Sequence, residues 1–165
     1  MIAIDPKAVA DTPGASALSV SGLGRYLMRA REVVGLEGDV EVLLATDAEL
    51  KRLNRTFRGK NKATDVLSFP APEEVASIHA GDLAISLDTA ARQAESFGHS
   101  LRDEVRILVL HGLLHLSGLD HEVDDGEMAS REAELRKKLK LPVSLIERVT
   151  KPKVVPIKTR RRAKA

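Results

Sequence analysis
Three histidines fall within eleven residues, His111-Gly-Leu-Leu-His115-Leu-Ser-Gly-Leu-Asp-His121, at a spacing that can wrap one divalent metal ion. His111 and His115 are four apart, which on a helix stacks both imidazoles on one face with Cβ atoms about 6 Å apart. Gly118 supplies the break: it can take the positive φ that ends a helix and turns the chain back, so His121 can approach the same point from a loop. Three neutral nitrogen ligands leave a fourth position for water, which fits a catalytic site better than a closed structural one. A zinc ion there is expected to lower the pKa of that water to about 7 and make hydroxide available at neutral pH. The competing account makes each ring an ordinary histidine satisfied by hydrogen bonds. Against it, three of the chain's five histidines sit together beside a helix-breaking glycine in an apolar segment.

The spacing also matches the metzincin peptidase pattern, H-E-x-x-H-x-x-G-x-x-H, at every histidine and at the glycine. The residue after the first histidine is Gly112, where such a peptidase carries the glutamate that acts as general base. A cage without that carboxylate keeps its metal but loses the proton carrier of peptide hydrolysis. Zinc is the expected ion, one per chain, although three imidazoles also suit Ni²⁺, Cu²⁺ or another divalent metal.

At 165 residues and 43% hydrophobic content, the chain suits one domain with a real core. With no cysteine, neither a disulfide framework nor a thiolate metal site can form, which fits a reducing cytoplasm and puts any metal on His, Asp or Glu. No stretch approaches the roughly 18 apolar residues of a membrane span. The N-terminus, with Asp5 and Asp11 near Pro6 and Pro13, lacks the layout of a secretory signal. A soluble cytoplasmic protein without membrane contact is expected. The formal charge of +2 is unevenly distributed: from Lys151 onward the chain carries seven Lys or Arg and no acid, leaving 19 bases against 24 acids before it. The reading is an acidic domain over 1–150 and a basic, disordered tail over 151–165, suited either to nucleic-acid phosphates or to a solubilising role.

The elements that must position the histidines follow from periodicity. A helix is expected over about 21–34, with Leu23, Leu27, Ala30 and Val34 recurring at three or four residues, then a strand over Val40–Ala45. Thr46 and Glu49 read as a capping box for a helix to about Phe57. A polar loop over 58–65 leads to short strands at Val66–Phe69, stopped by Pro70 and Pro72, and at Gly81–Ser86. A helix over about 88–97 comes next, and Ser100 is a good N-cap for the histidine helix, whose apolar residues suggest burial on most sides. A last helix over about 125–139, rich in Glu and Lys, should cover the surface. The fold class expected is α/β (α+β): a single domain with a small mixed β-sheet packed with helices around a central metal-binding helix.

Three separated blocks then resemble one family, the YbeY-type endoribonucleases, metal-dependent RNA-processing proteins of bacterial ribosome maturation. They are Leu53-Asn-Arg-Thr-Phe-Arg58-Gly-Lys followed by Thr64-Asp65-Val-Leu-Ser-Phe-Pro70, then Gly81-Asp82-Leu-Ala-Ile-Ser86, then the histidine block, spanning roughly residues 50–121. The resemblance implies zinc on His111, His115 and His121, a functional arginine at Arg58, and hydrolysis of single-stranded RNA in rRNA maturation, with the ribosome or small-subunit proteins as partners.

The residues allow that role. A guanidinium is always charged and its planar fork matches a phosphate, so Arg58 could hold a scissile phosphodiester and stabilise its transition state; a surface salt bridge is the alternative. Arg58 and His115 are the catalytic candidates, and Lys60 and Lys62 extend a basic run that begins at Lys51 and could track phosphates. With only Tyr26, Phe57, Phe69 and Phe97 as aromatics, recognition is expected to rest on phosphates rather than base stacking. Asp120 and Glu122 flank the third histidine and could orient it or carry protons. Asp65 could brace the Arg58 loop through backbone N–H groups, and His99 could contact RNA or cap the site. Two other functions remain open at this point: a ribosome-assembly factor with a structural metal, and a metallopeptidase, against which Gly112 argues.

Overall fold
Four strands form one mixed sheet in the order β1-β2-β4-β3. β1 (Ile2–Ile4), β2 (Asp39–Ala45) and β4 (His79–Ser86) run parallel, and β3 (Val66–Pro70) lies antiparallel to β4 at the edge. The computed structural model describes residues 1–150; the basic tail expected beyond them lies outside the described residues. Side chains alternate across the strands, so the sheet has two apolar faces. Leu43, Ala45, Leu67, Phe69 and Ala84 take Leu50 and Leu53 of α3 (Asp47–Arg58) on one side. On the other side Val42, Leu44, Leu83 and Ile85 join the main core with α2 (Val20–Val34), α4 (Leu87–Phe97), α5 (Leu101–Leu116) and α6 (Glu127–Lys138).

α5 is the histidine helix, and it is enclosed on nearly all sides: every residue from Ile107 to Leu114 is buried. It starts where expected, the Ser100 hydroxyl accepting the Asp103 N–H at 3.0 Å. Its surroundings explain why its apolar residues follow no single stripe. The other expected elements are present with small shifts of boundary. α6 differs in character, because Met128, Glu132 and Leu135 form a buried face rather than a purely superficial cover.

Three short elements carried too little periodicity to be read. In the first, β1, Ile2, Ala3 and Ile4 pair with Val42, Leu43 and Leu44. The second is α1 (Pro6–Asp11), capped by Asp5, whose carboxylate accepts the Lys7 N–H, with Pro6 in the first turn. The third is α7 (Leu145–Thr150) at the end of the described chain.

The expected capping box at α3 is half formed. Thr46 Oγ1 accepts the Glu49 N–H at 3.2 Å, but the Glu49 carboxylate turns instead to Arg52 at 2.8 and 2.7 Å. The start of α3 is held by tertiary contacts. Asp47 Oδ1 accepts the hydroxyls of Ser86 (2.5 Å) and Thr89 (2.6 Å), and Oδ2 accepts Arg92 Nη2 (2.9 Å). Asp47 N–H in turn donates to Asp88 Oδ2 at 2.8 Å. This joint fixes α3 against α4, and the far end of α3 delivers Arg58.

Partial burial pushes the Asp47 carboxyl up, but the hydrogen bonds from Ser86, Thr89 and Arg92 outweigh it and hold it below its ordinary value. Its contribution to stability is therefore present above the unfolded-state pKa of about 4 and is lost as pH falls through the lower folded value. In thermal melts between about pH 6 and pH 3 the Asp47→Asn protein should start less stable than wild type and lose less melting temperature across that range. Parallel losses in the two proteins would show that Asp47 does not carry the linkage.

Candidate metal centre
The last turn of α5 and the loop after it bring the three histidines together. Gly118, at φ +102°, ends the helix; its N–H reaches the His115 carbonyl at 3.0 Å and the Leu119 N–H returns to the Leu114 carbonyl at 3.2 Å, the glycine-terminated ending the spacing predicts. His121 then sits between two turns. Asp120 Oδ1 accepts the Glu122 N–H, and Asp124 accepts the N–H groups of Gly126 and Met128 to start α6. The ring centroids lie 4.8 Å (His111–His115), 5.2 Å (His111–His121) and 5.6 Å (His115–His121) apart. One nitrogen from each falls within 4.8 Å of the others, so small side-chain rotations would close them on one ion at the typical ~2.0–2.1 Å.

The individual rings fit that use. His111 is buried, and its Nδ1 meets Glu132 Oε2 at 2.8 Å. With the Glu132 carboxylate accepting, Nδ1 is the donor of this contact and Nε2 is the nitrogen left to ligate. The buried Nδ1 of His121 has no hydrogen-bond partner among the described residues, as expected of an atom whose partner comes from outside the chain. Burial, and then the neighbouring His111 and His121, push the His115 pKa down, so that ring is neutral near pH 7 and able to ligate. The histidines fit a borderline-soft divalent ion such as Zn²⁺ with a coordination position left open.

The open side is a cleft of about 550 Å³ lined by the imidazoles together with Arg58, Thr64, Asp65 and Ser68. Arg58 is the last residue of α3, stopped by Gly59 at φ +69°, and its guanidinium makes no hydrogen bond or ion pair among the described residues. The surface salt bridge that was its alternative is not present among the described residues. Asp65 braces the loop as expected: Oδ1 accepts the Val66 N–H at 2.8 Å and Oδ2 accepts Gln93 Nε2 at 3.3 Å. Asp120 and Glu122 line the cleft, yet neither side chain hydrogen-bonds the His121 ring.

Three expected residues stand elsewhere. Lys60 and Lys62 are exposed on the loop outside the cleft lining, where the Lys62 carbonyl anchors the loop to Asn54 Nδ2 at 3.0 Å. His99 neither contacts the cleft nor caps it. Its side chain is 8% exposed, holds Glu104 Oε1 at 2.7 Å and stacks on Phe97, because the turn into α5 folds it inward. Of the aromatics, Phe57 is 64% exposed and edge-on to Phe69 beside Arg58, whereas the Tyr26 hydroxyl is spent on the Arg106 carbonyl.

Sequence reasoning missed Glu132, the carboxylate that holds His111. A signal for it existed: Glu132 is four residues from Met128 and three from Leu135, inside the buried stripe of α6. It also missed the enclosed pair of Glu104 and Arg148, which joins α5 to α7.

Gly112 explains more than the loss of a peptidase base. Its carbonyl accepts the Ser68 hydroxyl at 3.3 Å, and a Cβ there would stand 2.7 Å from Leu83 Cδ2 and 3.0 Å from Cδ1. Position 112 faces the sheet, so a peptidase-type glutamate would have to displace the Leu83 side chain and bury its carboxylate against it. Gly112→Glu is expected to destabilise the protein by about 3 kcal/mol or more without creating peptidase activity, as read by denaturant unfolding and a peptide-cleavage assay. A stable variant that cleaves peptides would reverse this reading.

With the geometry established, relatives supply the family. A family model described as Endoribonuclease YbeY matches residues 23–140. An endoribonuclease YbeY of Koribacter versatilis is 57% identical over 82% of this chain and 87% of its own length. A chloroplastic endoribonuclease YBEY of Arabidopsis thaliana is 43% identical over 78% of this chain, covering 24% of that longer protein. A solution structure of a Thermotoga maritima protein is similar at a TM-score of 0.54 and 28% identity, over 84% of this chain and 89% of that one. A mixed sheet packed on the helix that carries His111 and His115, with His121 in the loop after it, the Arg58 block and these matches together place the chain in the YbeY endoribonuclease family.

Proposed function
We propose that this endoribonuclease hydrolyses phosphodiester bonds of single-stranded RNA at a divalent-metal site, zinc in the first instance, and that it acts in rRNA processing and ribosome maturation. One observation carries the site assignment: three clustered imidazoles and an arginine without a partner among the described residues line the same cleft. An ion held by His111, His115 and His121 supplies Lewis acidity toward a phosphoryl oxygen and toward water. Arg58 contributes a planar pair of donors for the non-bridging oxygens, where charge builds during displacement.

Proton transfer falls to carboxylates of the cleft. The Asp65 oxygens are engaged by Val66 and Gln93, and Asp120 Oδ1 by the Glu122 N–H. The Glu122 carboxylate makes no hydrogen bond among the described residues, which leaves it available to carry a proton. Lys60 and Lys62, just outside the cleft, extend the positive surface along which flanking phosphates would lie. No described helix is long and apolar enough to cross a membrane. The ribosome, or a small-subunit protein, is the partner proposed for delivering the substrate.

Zinc-loaded protein free of contaminating nuclease should cut single-stranded RNA, and Arg58→Ala and His115→Ala should each lower the rate by roughly 100-fold or more, measured by gel-resolved cleavage. Full activity in both variants would remove the enzymatic assignment. RNA binding and ribosome association without turnover would favour an assembly factor with a structural metal. Binding should also weaken steeply with salt, and Lys60→Ala or Lys62→Ala should each reduce the log–log slope by about 0.7; an unchanged slope would take those lysines out of the phosphate track.

A further inference from the structure
We infer that Glu132 is the positioning residue of the metal centre, and that its hold on His111 is shared with α7, a helix outside the segment matched by the family model. The inference rests on the metal assignment above and adds a residue and an element to it.

Glu132 is 1% exposed and sits in the apolar stripe of α6. A carboxylate so enclosed must have both oxygens satisfied, and both are: Oε2 takes the His111 Nδ1–H at 2.8 Å, and Oε1 takes the Ile146 N–H at 2.7 Å. The first contact fixes the tautomer and turn of the ring, so that Nε2 is the atom offered to a metal. The second belongs to the first turn of α7, where a backbone N–H has no partner within its own helix. One carboxylate thus serves a metal ligand and a helix start.

α7 is itself fastened to the histidine helix. The Arg148 guanidinium bonds both oxygens of Glu104 on α5, and Nη2 also donates to Gln93 Oε1 on α4 at 3.0 Å. The group lies over the Phe97 ring, 4.5 Å from its centroid. Arg148 and Glu104 are 7% and 0% exposed, so this is an interior clasp rather than a surface pair. Leu145, at the start of α7, reaches the wall of the cleft. Docking of α7 aligns the Ile146 N–H with Glu132, and Glu132 aligns His111. By reciprocity, metal binding at His111 must favour the docked helix to the same degree.

The full-length chain tests this through zinc affinity, by chelator competition, and through amide exchange at Ile146. Glutamine at 132 must present an NH2 to one of its two N–H partners, so Glu132→Gln should bind zinc about 10–100-fold more weakly. Arg148→Met, which leaves Glu132 in place, should also weaken zinc binding, and exchange at Ile146 should slow on zinc loading in wild type. Wild type that fails to bind zinc would remove the metal assignment itself. Zinc binding in Glu132→Gln as tight as in wild type would overturn the positioning role. Wild-type affinity in Arg148→Met, with Ile146 exchange indifferent to zinc, would overturn the part given to α7. Thermal melts verify folding, and should Glu132→Gln not fold, the Arg148→Met affinity and the wild-type exchange decide the question.

Discussion
The close approach of α5 to the sheet at Gly112 is the constraint on which the rest of the structure depends. A helix whose backbone comes so near β3 and β4 that an added Cβ would overlap Leu83 has its rotation about its own axis settled. With position 112 turned to the sheet, positions 111 and 115 must point to the side, toward the cleft. The Ser68 hydroxyl on the Gly112 carbonyl fixes the same contact in polar terms. Enclosure on nearly every side then makes small displacements of α5 costly, since close-packed interiors transmit strain instead of absorbing it. That rigidity is what a three-ligand centre needs, because ligand geometry must be met within fractions of an ångström.

Much of this was legible in the sequence, and the legible part shares a physical origin: interactions between residues close along the chain. Ser100 capping α5, Thr46 opening α3, Gly118 ending the histidine helix and Asp65 bracing its own loop are contacts over one to four residues, which spacing alone encodes. The cleft itself joins residues some fifty positions apart, and there the resemblance rather than periodicity brought Arg58 to the histidines. What escaped notice is long-range and polar. Glu132 looked like one more charge on a Glu- and Lys-rich helix, and Arg148 lies beyond the last helix expected, over about 125–139. Only the tertiary structure shows each enclosed and paired. His99 is the reverse case, a residue near the site in sequence that the turn before α5 carries inside.

The enclosed ionisable groups follow a common rule. Removing a charge from water is unfavourable by several kcal/mol unless good geometry and further hydrogen bonds offset it. Glu104 is offset by Arg148 and His99, and Glu132 by His111 and a backbone N–H. Apolar residues could fill such space with equal or better stability. What they could not do is select one rotamer of an imidazole or one seating of a short helix, and specificity of arrangement is the return on these interior polar contacts.

The edge strand has a consequence of another kind. Among the described residues β3 pairs on one side only, and a strand edge lying open beside a cleft is a template on which a second chain could add itself. Here both ends of that edge are closed: the Asp65 carboxylate occupies the Val66 N–H, and Pro70 has no N–H to offer. Too few free donors remain for a foreign strand to zip onto. The residues that border the site therefore also guard the protein against aggregation, letting it keep an accessible cleft at the margin of its sheet without the usual hazard of an exposed β-edge.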